Sequence, residues 1–375
     1  MIVLFDASCL MKELTGIGVY VRDLLEHMIP MDTGIQYIIF MNALKDPTPR
    51  FPWDTAPNVR VVRRRIPGKL LLELWRRNAP PSVESLAGSR PDVFHSPNFL
   101  YQRTGCSTVL TTIHDLAFLK RNAYGGRYSG RYHRETLVKN IRDASHCIVV
   151  SRSVAEDLQD LCGIASDQIT VIHHGLNPVF RPGPETPLPI PGESAVPDRF
   201  FLTVGSVEPR KNMPLLVHAF ARSFRDDPGL SLVIAGRRAE GIRALETAVR
   251  ESGMSDRILI TGYVTLDHLV ALYQRAVAAV FPSWEEGFGF PALEALACGT
   301  PVLASDIPVH REILGDAPCF FECDSIEALS RQLSEITASP ERRIAKRDAG
   351  LRRAAEFSWA AAAQKHITLY RRLAE

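Results

Sequence analysis

Two carboxylates flank a turn in the C-terminal half of the chain. Glu286 precedes the turn and Glu294 follows it, with seven residues between them. An apolar run stops at Pro282, two glycines follow, and Pro291 suits the first turn of a helix. A strand, a glycine turn and a helix N-terminus together form an anion site, because free N–H groups and the positive end of the helix dipole meet there.

A carboxylate beside a phosphate site is electrostatically unfavourable, so it is expected to bind another group. Carboxylates accept hydrogen bonds well from vicinal hydroxyls. The pattern therefore predicts a diphosphate that lies between two sugars, with Glu286 on the hydroxyls of a hexose and Glu294 on a ribose. The alternative is an ordinary helix N-terminus whose acidic residues interact with the dipole.

A second loop in the same half carries cations. Gly205 follows a predicted strand, and Arg210 and Lys211 come just before a predicted helix. Charge-assisted hydrogen bonds from these two side chains would hold a pyrophosphate. The alternative interpretation is a pair of surface cations in a loop.

The N-terminal half has two weaker features. Gly16 and Gly18 follow the first predicted strand and precede a helix predicted over residues 20–28. They indicate either a close backbone approach to a diphosphate or acceptor, or a simple tight turn. The third glycine of the dinucleotide fingerprint is missing, which counts against an NAD-dependent dehydrogenase. His114 ends another predicted strand, at the sheet edge where open α/β sheets bind ligands, although a histidine there is commonly a structural hydrogen-bonding group.

Short apolar runs alternate with helical patterns in both halves, which is typical of parallel βαβ units. The fold class predicted is α/β, with two domains separated by a stiff, proline-rich linker. The predicted parts are an N-terminal domain (residues 1–180), the linker (181–198), a C-terminal domain (199–357) and an amphipathic terminal helix (358–375). After a strand at residues 302–304, the next predicted element is a helix over residues 326–338.

Composition excludes several classes of protein. A chain of 375 residues can bury two cores, and a formal charge of +2 argues against a dedicated nucleic-acid binder. The seven cysteines are scattered, and Cys319 and Cys323 lack the further ligands of a zinc site. An odd, dispersed count suits reduced thiols in a cytosol. The apolar N-terminus stops at Asp6 and is expected to be a core strand rather than a signal sequence, and no stretch approaches the ~20 apolar residues of a membrane span.

The stretch that contains Glu286, Gly287, Phe288, Gly289 and Glu294 resembles the Glu-x7-Glu signature of retaining glycosyltransferases of family four, in group 1. The resemblance covers nearly the whole chain. It implies the GT-B fold, in which two Rossmann-like domains face each other across a cleft and a C-terminal helix crosses back onto the N-terminal domain. It also implies that the N-terminal domain binds the acceptor and the C-terminal domain the nucleotide sugar.

The resemblance assigns roles to the cationic loop. Arg210 and Lys211 lie in a Pro-Arg-Lys-Asn sequence that matches the family's donor-binding pattern. Ser206 stands where many relatives have an arginine, directly after Gly205. A larger share of phosphate binding is therefore expected from Arg210 and Lys211.

Three further positions match family site residues. His114 matches a histidine that contacts the transferred sugar or assists at the reacting centre. Tyr263 and Val264 match the position that seats the nucleotide base, with ordinary loop residues as the alternative. These residues, together with Gly16 and Gly18, complete the predicted site.

The expected chemistry needs neither a metal nor a cofactor. No Asp-x-Asp pair occurs in the sequence, so the metal-chelating route of A-type glycosyltransferases lacks its ligands. Arg210, Lys211 and the helix dipole near Pro291 would instead stabilise the diphosphate leaving group. The resemblance implies retention of the anomeric configuration.

The resemblance implies a hexosyltransferase that builds a surface polysaccharide such as O-antigen, exopolysaccharide or capsule. The predicted partners are a nucleotide-sugar donor, with GDP-mannose preferred over a UDP-hexose, and a saccharide or polyprenyl-linked acceptor. Two other classes stay open: a nucleotide-sugar epimerase of the same fold, and a non-catalytic nucleotide-sugar-binding protein. The expected location is the cytoplasm, with or without peripheral contact to the inner face of the membrane.

A basic stretch from Arg60 to Arg77 places cations beside leucines and a tryptophan. Contact with a membrane surface is one interpretation, since each basic residue near anionic lipid contributes ~1 kcal/mol. A solvated helix with a buried leucine stripe is the other. Arg127, Arg131 and Arg134 would extend the basic face or bind an acceptor phosphate.

Overall fold

The computed structural model describes residues 1–11, 16–44, 51–99, 101–120, 131–183 and 196–375, with the backbone alone for residues 131–134. The roles predicted for Arg127, Arg131 and Arg134 therefore lie outside the described residues. Most of the linker predicted over residues 181–198 does so as well.

The elements of the first part, in chain order, are β1 (Ile2–Asp6), α1 (Gly16–Met31), β2 (Gln36–Asn42), β3 (Val59–Arg64), α2 (Gly68–Arg76), α3 (Val83–Ala87), β4 (Val93–Ser96), β5 (Val109–Ile113), α4 (Ala117–Lys120), α5 (Arg131–Arg142), β6 (His146–Val149), α6 (Arg152–Cys162) and β7 (Ile169–Val171). Those of the second part are β8 (Phe200–Val204), α7 (Met213–Phe224), β9 (Ser231–Ala235), α8 (Ile242–Ser252), β10 (Ile258–Gly262), α9 (Leu266–Arg275), β11 (Ala278–Phe281), α10 (Phe290–Ala297), β12 (Val302–Ser305), α11 (Pro308–Leu314), β13 (Cys319–Phe321), α12 (Ile326–Ala338), α13 (Pro340–Ala354) and α14 (Trp359–Ala374).

These elements form two compact units. As far as their residues are described, the first comprises residues 1–116, 130–175 and 358–375, and the second residues 117–129 and 176–357. The first contains a parallel sheet in the order β3-β2-β1-β4-β5-β6-β7, and the second a parallel sheet in the order β10-β9-β8-β11-β12-β13. The central strands are runs of buried Val, Ile, Leu and Phe, as expected when helices cover both faces of a parallel sheet. Each unit is Rossmann-like, as predicted.

The sequence pattern missed some elements and misplaced one helix start. It did not predict α11 or β13, which are too short to show a clear apolar period, at seven and three residues. It placed the first helix over residues 20–28, whereas α1 begins at Gly16. Gly16 and Gly18 are therefore in the first turn of α1 and not in a loop before it. Burial of Tyr20 and neighbouring residues offsets the low helix propensity of glycine.

The C-terminal helix α14 belongs to the first unit, where it packs on α1, as the resemblance implied. Arg371 of α14 pairs with Asp32 at 2.6 Å. At the start of α14, the Trp359 backbone lies against Gly175, and a Cβ at Gly175 would come within 2.1 Å of the Trp359 nitrogen. A residue with a side chain at position 175 would therefore displace the helix.

A buried chain of hydrogen bonds joins α14 to α1 and to the sheet. Its members are, in order, Tyr370, His95, Thr112, Tyr20 and His366, with separations of 2.5, 2.7, 3.1 and 3.1 Å. His366 Nδ1 lies 2.8 Å from the carbonyl oxygen of Ala362, which can only accept, so Nδ1 carries the proton. Nε2 then accepts from Tyr20, and each preceding hydroxyl or imidazole donates to the next member. All these bonds are satisfied when both imidazoles are neutral.

Burial keeps the histidines of this region neutral. It lowers the pKa of His95 and His174 well below the usual value, and it lowers the pKa of His366 to about 4. The imidazole of His174 lies beside the rings of Tyr20 and Trp359, at centroid distances of 4.8 and 5.6 Å. A proton on any of these rings would introduce a poorly solvated charge, so neutral histidine stabilises the unit.

The first unit should lose stability as the pH falls. In the unfolded chain a histidine binds its proton near pH 6.5, whereas folded His366 stays neutral until about pH 4. The contribution of neutral His366 to the free energy of unfolding is complete above pH 6.5. It declines as the pH falls toward 4, with a slope of about 1.4 kcal/mol per pH unit. Hydrogen-exchange protection of α14 amides in a urea series, corrected for intrinsic exchange rates and repeated at several pH values, measures this slope.

The matched variant is His366→Gln, which retains an acceptor for Tyr20 and cannot titrate in this range. Its unfolding free energy should depend less steeply on pH than that of the wild type, by about one proton between pH 6.5 and 4. Equal slopes for the two proteins would contradict the assignment.

Candidate functional site

The second sheet reverses its direction of growth between β8 and β11. From β8 the chain adds β9 and β10 on one side, and from β11 it adds β12 and β13 on the other. Loops that leave the carboxyl ends of such a strand pair diverge, and the crevice between them is where open α/β sheets bind ligands. The loop after β8 contains a 3₁₀ helix, Pro209–Lys211, and the loop after β11 contains the turn that precedes α10. Both clusters predicted from the sequence therefore lie at one crevice.

Three side chains bind the carboxylate of Glu286. Lys211 Nζ donates to Oε1 at 2.5 Å, and Arg210 Nη1 donates to Oε2 at 3.0 Å. The Ser283 hydroxyl donates to Oε1 at 2.7 Å. The structure thus joins the cations of the first loop directly to the carboxylate of the second.

Hydrogen bonds to backbone carbonyls also join the two loops. The Trp284 N–H donates to the Arg210 carbonyl at 2.9 Å, and the Arg210 guanidinium donates to the Glu285 carbonyl at 3.1 Å. Gly205 has φ +147°, and a Cβ there would lie 3.5 Å from Lys211 Cε. The position therefore favours glycine and leaves room for the lysine side chain to cross the loop.

The Glu286 carboxyl is ionised despite its burial. Its side chain is 7% exposed. Burial alone would raise its pKa, but the cations of Lys211 and Arg210 hold the pKa well below its usual range. Glu208 provides a second counter-ion, 2.9 Å from Arg210 Nε. The cluster therefore contains two cations and two carboxylates.

Helix α10 begins at Phe290, with Pro291 in its first turn as predicted. Its N-cap is Gly289, whose φ of +84° lies in the left-handed region that favours glycine. Glu294 lies in the next turn, where its Oε2 accepts a hydrogen bond from the Tyr273 hydroxyl at 3.1 Å. The Glu294 side chain is partly exposed and is therefore accessible to a ligand at this end of the helix.

The other predicted residues of the second unit differ in accessibility. Gly287 is in the buried turn, and the Phe288 side chain packs in the core against Phe290 and Phe357, so a ligand contact from Phe288 is left to its backbone. Ser206 lies half-buried in the loop after β8. Tyr263 and Val264 follow β10, two strands away from β8, and Tyr263 is 60% exposed.

In the first unit, His114 follows the last residue of β5. Its Nε2 lies 2.8 Å from the Pro97 carbonyl oxygen, so Nε2–H donates and Nδ1 is left as an acceptor. Burial lowers its pKa, which favours the neutral ring. A Cβ at Gly16 would meet no described protein atom within 4 Å. The ligand contact of Gly16 and Gly18 stays a prediction.

Three residues of the cluster, Ser283, Glu208 and His310, were not predicted from the sequence. His310 lies on α11, which was not predicted, and its ring is close to Gly289. A signal was available, since His310 follows β12, whose carboxyl end lies beside that of β11. The strand-end rule that selected His114 would also have selected it.

In the described ranges, no group of three or more His, Cys, Asp or Glu side chains is placed to hold a metal ion. All seven cysteines are free thiols. No helix in the described part of the chain has the length and hydropathy needed to cross a membrane.

Two Rossmann-like units, with a candidate site at the switch point of the second, form a GT-B fold. Family comparisons agree over most of the chain. A model described as glycosyl transferases group 1 matches residues 190–352, and one described as glycosyltransferase family 4 matches residues 14–180. The chain belongs to the group 1 glycosyltransferases, in family 4.

Individual relatives are similar over long stretches. The O-antigen chain mannosyltransferase B of Escherichia coli is 25% identical over 99% of this chain and 100% of its own length. The serotype-specific mannosyltransferase WbdA of Escherichia coli is 27% identical over 77% of this chain, but the match spans 38% of that longer protein. The structure of sucrose-phosphate synthase from Thermosynechococcus elongatus superposes with a TM-score of 0.79 at 23% identity, over 99% of this chain and 98% of that one, which supports the fold.

Glu286→Gln should destabilise the second unit by about 3 kcal/mol, because it leaves two largely buried cations without their shared carboxylate. Urea unfolding measures the loss. Adding Lys211→Met to Glu286→Gln should recover part of the lost stability, since the double variant removes one unpaired charge.

The control is Glu246→Gln, which breaks the exposed pair of Arg238 and Glu246 at 2.7 Å. Its effect should stay below about 1 kcal/mol. Similar losses for Glu286→Gln and Glu246→Gln would argue against a buried ionic cluster.

Proposed function

We propose that this chain transfers a hexose, with retention of anomeric configuration, from a nucleotide sugar to a saccharide or polyprenyl-linked acceptor in surface polysaccharide biosynthesis. GDP-mannose is the proposed donor, ahead of a UDP-hexose. The observation that carries the proposal is the contact of Arg210 and Lys211 with Glu286 at the switch point of the second sheet. The O-antigen mannosyltransferase among the relatives supports the choice of mannose.

The cationic loop is proposed to bind the diphosphate. Among the described residues, Lys211 donates one hydrogen bond, to Glu286, so two of its three N–H groups are available to phosphate oxygens. The N-terminus of α10 adds its dipole. Pre-organised donors at developing negative charge each contribute roughly 10²–10³ in rate, which makes metal-independent departure of the nucleoside diphosphate reasonable.

The two glutamates are proposed to bind the sugars on either side. The Glu286 carboxylate accepts three hydrogen bonds from the protein, and its two oxygens have about four acceptor positions, so one is left for a sugar hydroxyl. Glu294, held by Tyr273, is proposed to accept from the ribose. Tyr263 and Val264 are proposed to contact the base.

Retention is proposed to proceed on one face of the sugar. The bond from the anomeric carbon to the phosphate oxygen breaks as the bond to the acceptor oxygen forms, and the departing phosphate takes the acceptor proton. Neither glutamate is assigned as a nucleophile. In the first unit, His114 is proposed to accept a hydrogen bond from the transferred sugar through Nδ1, because its Nε2–H is bound to Pro97.

Lys211→Ala should reduce transfer by about 10²–10³ because a donor to the leaving phosphate is lost. The assay is release of nucleotide from GDP-mannose and from UDP-glucose, with and without polyprenyl-linked acceptor, in buffer with EDTA and in buffer with Mg²⁺. Arg238→Ala, at an exposed cation of the same unit, is the control and should retain wild-type turnover.

Several results would contradict this function. Conversion of donor to another nucleotide sugar without acceptor would identify an epimerase. Absence of nucleotide binding by calorimetry would favour a non-catalytic protein, and loss of turnover in EDTA would contradict metal independence.

The proposed lipid-linked acceptor makes membrane contact through α2 a related proposal. Leu70 and Leu72 are 53% and 39% exposed, whereas Leu71 between them is buried. Glu73 pairs with both Arg76 and Arg77, at 3.2 and 2.8 Å, so part of the positive charge of this helix is balanced. The exposed leucines therefore supply the apolar part of the proposed contact.

Replacement of Leu70 and Leu72 by Gln should weaken binding to phosphatidylglycerol-rich vesicles by about tenfold, since two partly exposed leucines would no longer enter the interface. Cosedimentation of the protein with the vesicles measures this binding. The control is Leu161→Gln, at a leucine of α6 that is 40% exposed. Equal binding of the wild type to neutral phosphatidylcholine vesicles, or no effect of the double change, would argue against a basic, apolar membrane face.

A further inference from the structure

His310 combines burial with an unused polar atom. Its side chain lies on α11, the residue is 1% exposed, and its Nε2 has no hydrogen-bond partner among the described residues. Buried polar atoms are nearly always paired, so an unpaired one beside a site is available to a ligand.

The protonation of this imidazole follows from its other nitrogen. Nδ1 lies 2.9 Å from the Ser305 carbonyl oxygen, which can only accept. Nδ1 therefore carries the proton, and Nε2 presents a lone pair. Burial lowers the pKa of His310, against the opposing effect of the Glu286 carboxylate, so the ring is neutral near pH 7. The unpaired atom is a hydrogen-bond acceptor.

The position of Nε2 identifies the site that it faces. A Cβ at Gly289 would lie 3.9 Å from Nε2 and 3.7 Å from Cδ2 of the ring, so the imidazole edge faces the N-cap of α10. Gly289 is three residues after Glu286 in the same turn. Two acceptors, one carboxylate and one imidazole, thus face the turn at the helix N-terminus.

We propose that His310 Nε2 accepts a hydrogen bond from a hydroxyl of the transferred sugar and is a sugar-binding residue of this glycosyltransferase. The inference rests on the proposed function. An ionised phosphate has no proton to donate to this lone pair, whereas each sugar hydroxyl does. His310 therefore selects the sugar part of the donor and contributes little to binding of the nucleoside diphosphate.

The test compares ligands with and without the sugar. Wild type and His310→Leu are titrated calorimetrically with GDP and GDP-mannose, and with UDP and UDP-glucose. His310→Leu should bind the nucleoside diphosphate within about twofold of the wild type. It should bind the matching nucleotide sugar, and use it in kcat/KM, about ten- to a hundredfold less well, because an acceptor for a hydroxyl is missing.

Thermal stability separates this role from a structural one. Leucine removes the unpaired acceptor, and the Ser305 carbonyl still accepts from the Ile307 N–H at 3.0 Å, so the melting temperature of His310→Leu should equal or exceed that of the wild type. His310→Gln, which carries an amide oxygen as acceptor, should recover part of the nucleotide-sugar affinity. His218→Leu, at a half-buried histidine of α7, should leave both ligand affinities unchanged.

The outcomes distinguish failure of the proposed function from failure of the inference about His310. If the wild type binds none of the four ligands, the proposed function fails and the inference fails with it. If the wild type binds a nucleotide sugar and His310→Leu binds it equally well, the inference alone is overturned. A lower melting temperature with equal loss of both ligands would make His310 a structural residue and would also overturn it.

Discussion

The pairing of one buried carboxylate with two cations is the interaction on which the site of the second unit depends. Glu286 accepts from Lys211 and Arg210, which come from a loop on the other side of the switch point. Without the carboxylate, two like charges with little access to solvent would repel each other, and the contact between the loops would lose its ionic part. This ionic cluster therefore determines both the local geometry and the charge of the crevice.

In the first unit, buried polar groups are stabilised by neutral hydrogen bonds and not by ion pairs. Between α14 and the sheet, five side chains from Tyr370 to His366 form a chain of neutral hydrogen bonds whose direction is determined by the Ala362 carbonyl. Neutral groups need no counter-ion, so the chain can hold the C-terminal helix on the sheet at a smaller desolvation penalty than ions would incur. It also makes that helix sensitive to protonation, in contrast to the ionic cluster of the second unit.

The local sequence pattern predicted strands and loops better than it predicted which side chains contact one another. The strands, the Glu-x7-Glu turn and the Arg210-Lys211 loop were found because each follows a short apolar run, and the order of runs predicts which carboxyl ends bear loops. The bond between Lys211 and Glu286 joins residues 75 positions apart, and no local sequence pattern predicts such a contact. The prediction from sequence therefore placed the cations on the diphosphate and Glu286 on the hexose of one donor, without the ion pairs between them. His310 was missed for a related reason, because α11 has only seven residues and little apolar periodicity.

The pairing of the cations also bears on selectivity. With Glu208 and Glu286 present, the cluster around Arg210 and Lys211 carries two charges of each sign, so a simple anion must compete with carboxylates that are already in place. On the proposed function, a nucleotide sugar brings hydroxyls as well as phosphates, and the hydroxyls donate to Glu286 and to His310 while the phosphates approach the cations. Because specificity is a difference between affinities, acceptors that pair only with hydroxyls would favour the sugar-bearing donor over the nucleotide product. On the proposed function, the same carboxylate that holds the cations in place would therefore help the product to leave.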